Sequence, residues 1–132
     1  MSKILVLAAA FSALVQGPPF VGQADVDYTS PVTKRVKDTM VTTLMVKNNT
    51  NGTLVRLTVD ETWYDAAGAL VAGGKGYVNS LEPGAVATVK IETPFNKKMS
   101  SKNYNFSHAN GTVTLRKVPK LVPAAKTPAR KK

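Results

Sequence analysis

The chain has 132 residues, no cysteine, a single histidine and a formal net charge of +10. That length holds one domain, and the lack of cysteine excludes a disulfide framework and any thiolate metal site. With His108 alone, neither a histidine-based metal cluster nor a Ser-His-Asp arrangement is readily assembled.

The N-terminus reads as an export signal. Met1 to Lys3 is a short positive start, and Ile4 to Val15 is apolar except for Ser12. The run falls short of the roughly 20 residues that cross a bilayer as a helix, but it suits a signal-peptide core. Gly22-Gln-Ala24 places small residues before Asp25, which sets residues 1–24 as the signal peptide and 25–118 as the folded domain. An end near Gly17 is the alternative cut, and an N-terminal buried strand or helix of the domain itself is the competing reading. No cysteine follows the apolar run, so a lipoprotein anchor is excluded. Once the signal is cleaved no transmembrane segment is expected, and the product is periplasmic or secreted.

Val26 and Tyr28 begin a short edge strand that Pro31 limits, because proline cannot donate to a ladder. Lys34, Arg35 and Lys37 then form a small basic cluster, read as a solvated edge that discourages aggregation. Thr39 to Lys47 is a clear strand. Asn48 to Gly52 is rich in residues that tolerate positive φ, and the reading joins the flanking strands there as an antiparallel hairpin.

Leu54 to Asp65 is the longest run with strand character and holds the only Trp. Val55, Leu57, Val59 and Trp63 share one parity and therefore one face. Glu61 falls on the same apolar parity, and an unpaired buried carboxylate is costly, so it must lie near an open end or find a partner. A strand with one apolar face needs a second layer to cover it.

Ala66 to Gly68 is a turn, Ala69 to Ala72 a short strand, Gly73-Gly74 a break, and Gly76 to Leu81 the next strand. These glycines lack the G-x-x-x-x-G-K-[ST] spacing and the following helix of a phosphate loop. Leu81 to Ala85 places Pro83 and Gly84 at the centre of a type II turn. Ala85 to Thr93 is a strand and Pro94 to Lys102 a basic crossing loop. Asn103 to Arg116 is a hairpin around Asn110-Gly111, in which His108 faces Val113 and Phe106 faces Leu115.

About seven short strands and frequent turn signals predict an all-β antiparallel, immunoglobulin-like β-sandwich, and a small barrel fits almost as well. Its core anchors are Leu57, Val59, Trp63, Phe106 and Leu115. Beyond Val118, the prolines at 119, 123 and 128 amid Ala, Thr and Lys describe an extended, disordered basic tail.

Three features carry a resemblance: Lys47-Asn48-Asn49, Trp63-Tyr64-Asp65 with Gly68, and Leu81-Glu-Pro-Gly84. Through them the chain resembles the bacterial FxLYD-type domains, exported immunoglobulin-like modules built on an apolar strand ending in Tyr-Asp. The family's Phe position is Glu61 here and its Leu position is Trp63. The likeness spans about half of the mature chain and implies a fold without supplying an activity.

No residue is assigned a catalytic, cofactor-binding or metal-binding role, and no cofactor or small-molecule substrate is expected. His108 reads as a packing or hydrogen-bonding residue, since no general acid–base partner is visible. Asp60, Glu61 and Asp65, with Asp25 or Asp27, lack calcium-loop spacing. Trp63, Tyr64, Tyr104 and Phe106 read as packing aromatics before a sugar-stacking surface. Outside the domain, Lys120, Lys126, Arg130, Lys131 and Lys132 come after Val118 with no acid among them. Such a tail reads either as a solubilising, disordered end or as a contact for anionic polymers such as lipopolysaccharide, cell-wall polymer or nucleic acid by counterion release. The expected role is a non-enzymatic module that binds a protein partner, or itself, at the bacterial cell envelope. The tail supplies the alternative, an electrostatic polyanion binder.

Overall fold

Short runs of β-branched residues bounded by Gly, Pro and Asn turn chemistry favour extended backbone throughout the domain. The computed structural model describes residues 18–122 and contains eight strands and no helix among them. The apolar run Ile4–Val15 and the tail residues Lys126, Arg130, Lys131 and Lys132 lie outside the described residues. In chain order the strands are β1 (Ala24–Tyr28), β2 (Val32–Val36), β3 (Thr39–Asn48), β4 (Leu54–Tyr64), β5 (Leu70–Leu81), β6 (Val86–Pro94), β7 (Ser101–His108) and β8 (Gly111–Lys117).

The strands form one curled, mostly antiparallel sheet with two hubs. β3 pairs along one edge with β6, from Thr39↔Pro94 to Lys47↔Val86. Its other edge is shared by β2, opposite Thr39 to Thr43, and β1, opposite Val46 to Asn48. β4 lies between β5 and β7. β8 links the two halves, pairing with β7 only at Ser107↔Thr112 and His108↔Gly111 before running parallel to β1 from Ala24↔Val113 to Tyr28↔Lys117. Leu44, Val46, Leu57, Val59, Val89, Ile91 and Phe106 fill the space inside the curl. The cover that Leu54 to Asp65 requires is thus the far side of the same sheet.

Eight strands stand where about seven were expected, and two assignments differ, one adding a strand and one merging two. Val32–Val36, where Lys34, Arg35 and Lys37 were read only as part of a solvated edge, is a strand of its own that pairs with β3 through a tight turn at Lys37-Asp38, where Lys37 adopts φ 57°. In contrast, Gly73-Gly74 does not break its strand, and β5 runs unbroken from Leu70 to Leu81. Those glycines serve close approach. A Cβ on Gly76 would lie 2.5 Å from the Lys90 carbonyl oxygen, and one on Gly74 2.9 Å from that of Glu92. Bare backbone lets β5 lie against β6 where the two ends of the curl meet.

Three further expectations change. Asn48 to Gly52 is not a hairpin but a crossover between the halves, because β3 and β4 do not pair. Buried Asn48 directs it: its Nδ2 donates to the carbonyls of Gly52 and Leu81, each at 2.8 Å, and its Oδ1 accepts from the Thr50 amide. The β7–β8 turn is centred on Ala109-Asn110, so His108 faces Gly111 instead of Val113. A Cβ at Gly111 would run into the Gly22 carbonyl, so this glycine admits the N-terminal segment. Finally, Leu115 is 37% exposed and is no core anchor. β8 leaves β7 after its first residues, so Leu115 pairs with Val26 and never faces Phe106.

Candidate functional site

Leu57, Val59, Glu61 and Trp63 alternate inward along β4, and Glu61 is only 1% exposed. Leu54 is buried as well, out of phase with Leu57, and Arg56 between them adopts φ 52° with its guanidinium over the Tyr77 ring. That turn of the backbone switches the parity and aims Glu61 into the core.

Four side chains donate to the buried carboxylate. Thr42 Oγ1 (β3) and the Tyr104 hydroxyl (β7) reach Oε2 at 2.5 and 2.6 Å. Thr93 Oγ1 (β6) and Trp63 Nε1 (β4) reach Oε1 at 2.7 and 3.0 Å. All four donors are neutral, and they come from both halves of the sheet. A carboxylate without a cation is tolerated in a core only when hydrogen bonds saturate it, as they do here. Burial pushes the Glu61 carboxyl up, and the bonds from Thr42, Tyr104, Thr93 and Trp63 outweigh it, leaving the group below its ordinary value of 4.5. Burial and donation to Glu61 push the Tyr104 phenol up to about 12.

A line of donors leads outward from this cluster. Lys102 Nζ donates to Thr33 Oγ1 at 2.6 Å, and Thr33 Oγ1 lies 2.7 Å from Thr42 Oγ1, which donates to Glu61. The exposed ammonium also stands 5.2 Å from the Trp63 ring centroid and 5.9 Å from that of Tyr104. A surface cation is thus connected to the cluster through two hydroxyls.

The buried side chains of Asp27 and His108 are also engaged. Arg116 forks onto Asp27 across the parallel β1–β8 pair, with both N···O distances 2.9 Å, and holds that carboxyl below its ordinary 3.8. Beside it, Asp25, Asn49, Thr114 and Leu115 line an open cleft of about 390 Å³. His108 Nε2 lies 2.7 Å from the Gly22 carbonyl, while Nδ1 accepts from the Asn110 amide at 3.3 Å, so Nε2 carries the proton.

The acids grouped in the sequence are dispersed. Glu61 points inward, Asp60 pairs with Lys75 at 3.7 Å, Asp65 accepts from the Ala67 and Ala69 amides in its own turn, and Asp27 holds Arg116. Among the described residues no group of three or more His, Asp or Glu could hold a metal ion. Trp63 and Phe106 are buried, and Tyr64 and Tyr104 half-buried, so the four aromatics form no open platform. Sequence reasoning identified Glu61 as a residue needing a partner. It did not find Thr42, Thr93 or Lys102, because parity along one strand carries no information about which distant strands it faces.

No family model matches the chain, and no curated protein matches it. Among solved structures the chain is similar to one described as the structural characterization of IrmA from Escherichia coli. The identity is 11%, 77% of this chain and 100% of that one are covered, and the TM-score is 0.50. A likeness at that identity concerns the fold alone.

Proposed function

We propose that the chain is an exported, non-enzymatic module of the immunoglobulin-like β-sandwich kind that contacts a protein partner, or a second copy, at the bacterial cell envelope. The strand neighbours support the architectural part. β1 and β2 beside β3 beside β6, and β4 beside β7 beside β8, repeat the A-B-E and C-F-G adjacencies of that fold. The FxLYD-type resemblance around Trp63-Tyr64-Asp65 belongs to the same proposal.

One observation carries the functional part. Glu61, the group best placed for chemistry by burial, has both oxygens committed to four internal donors, which leaves it no substrate-facing lone pair. Asp27 and His108 are spent in the same way on Arg116 and Gly22. The chain offers surfaces instead, including Val32, Leu70 and Tyr77 on strands at the margins of the sheet.

Export rests on the apolar run after Lys3, with the cut placed upstream of Phe20. The Phe20 amide donates to the Thr53 carbonyl at 2.7 Å and the Gly22 amide to that of Asn110 at 3.0 Å. Cleavage after Ala24 would remove both bonds.

The second reading, polyanion binding through Lys120, Lys126, Arg130, Lys131 and Lys132, is favoured by the run of cations after Val118. Retention of envelope proteins by the full chain and by a chain ending at Val118, at several salt concentrations, separates the two. Equal retention by both supports the module. Loss with the tail, graded by salt, transfers the function to the tail.

A further inference from the structure

Two basic stretches far apart in the sequence meet in the fold. The Arg35 guanidinium lies 3.7 Å from the centroid of the Phe95 ring, and the Phe95 amide donates to the Asp38 carbonyl at 2.8 Å. Lys102 reaches back to Thr33 at 2.6 Å. Arg35 on β2 therefore lies beside the segment that carries Lys97, Lys98 and Lys102, Lys34 projects from the opposite face of the same strand, and these five cations and Lys37 are all exposed. Asp38 is the one acid within 32–38 and 95–102.

β2 is also a sheet edge. It pairs with β3, and among the described residues its other edge pairs with no strand. Such an edge presents unpaired N–H and C=O groups. Val32 and Val36 flank Lys34 on the same parity and are 64% and 49% exposed. An open backbone edge with alternate apolar contacts and a surrounding positive field defines what it can accept.

We propose that the outer edge of β2 receives an acidic, extended segment of a partner protein as an added strand. This deepens the protein-contact reading above and rests on it. A second copy of the chain is disfavoured as occupant, because pairing β2 with β2 would oppose the same cations. The chain's own C-terminal tail is disfavoured too. Val118 donates to the Tyr28 carbonyl at 2.8 Å and leaves alongside β1 in the direction of β2. The tail itself carries Lys120, Lys126 and Arg130, and its Pro119, Pro123 and Pro128 cannot donate to a ladder. An acidic strand satisfies the backbone, the two valines and the charge together.

The test uses the full chain and a synthetic peptide alternating glutamate with valine. Binding and amide exchange at β2 are followed by NMR. The peptide is expected to bind and to protect amides of Val32–Val36 that exchange freely in its absence. Methylating alternate peptide nitrogens, which preserves charge but removes ladder donors, is expected to weaken binding about tenfold or more. The paired reversals Lys34→Glu and Lys98→Glu are expected to do the same. Equal binding by the methylated peptide or by heparin would overturn the proposal in favour of a plain polyanion surface. Protection of the outer β2 amides before any peptide is added would overturn it in favour of an occupant from the chain itself or a second copy. Should an envelope protein be retained equally by the wild type and the doubly reversed variant, the module reading stands and this edge is not its contact.

Discussion

Glu61 and Tyr104 face each other across the β4–β7 pair, and the phenol donates to the carboxylate at 2.6 Å. That pair joins a cluster in which Thr42 and Thr93 arrive from the opposite half of the sheet. One acidic side chain thereby ties β3, β4, β6 and β7 together. Replacing Glu61 with Ala would orphan four donors and open a void, with an expected loss of about 3 to 5 kcal/mol in urea unfolding. Tyr104→Phe removes one bond to a charged group and is expected to cost less, about 1.5 to 3 kcal/mol.

Stability is expected to fall at both ends of the pH scale. The folded carboxyls of Glu61 and Asp27 lie below their ordinary values of 4.5 and 3.8. Their contribution is full above those values and is lost as pH falls through the lower folded ones. Tyr104 has the opposite sense. Its folded phenol is raised from 10.0 to about 12, so its contribution is full below pH 10 and fades as pH rises toward 12. Chemical unfolding across pH should show a plateau between these limits, and ultraviolet titration should show a tyrosine ionising near 12.

The glycine contact between β5 and β6 predicts a further cost. Gly76→Ala places a methyl carbon 2.5 Å from the Lys90 carbonyl oxygen, where the rigid backbone must shift. Overpacking of this kind is expected to destabilise by about 1 to 3 kcal/mol in urea unfolding. Gly68→Ala offers a control, since open space surrounds that position and only its φ of 89° is strained.

The proposed export has its own measurement. If the chain is exported and cut, intact mass of the product should place its N-terminus upstream of Phe20, which keeps the bonds of Phe20 and Gly22 to Thr53 and Asn110. A mature chain starting at Asp25 would show that the fold does not require them.

The strands were legible because alternation along β3, β4, β6 and β7 is local, and so was the type II turn. Gly84 there adopts φ 79° and Ala85 donates to the Glu82 carbonyl at 2.9 Å. What lay beyond reach was pairing. Asn48 to Gly52 has the chemistry of a tight turn whether the next strand returns alongside or crosses to the other half, and only the distant Leu81 carbonyl held by Asn48 decides it. Leu115 was misplaced for a related reason. Asn110-Gly111 has hairpin chemistry, but Gly111 is needed to admit Gly22, and β8 turns away to β1. Glu61 is the instructive case, since its parity announced a buried charge needing partners while the partners came from three other strands.

The central claim, that Glu61 locks the fold as a carboxylate held charged by its four donors, is tested most directly by titrating its side-chain carboxyl by NMR. A midpoint below the ordinary 4.5, with the four donors holding the carboxylate charged, is the result expected. A midpoint above that value would reveal a carboxyl that keeps its proton, the behaviour of a general acid, and would contradict the account.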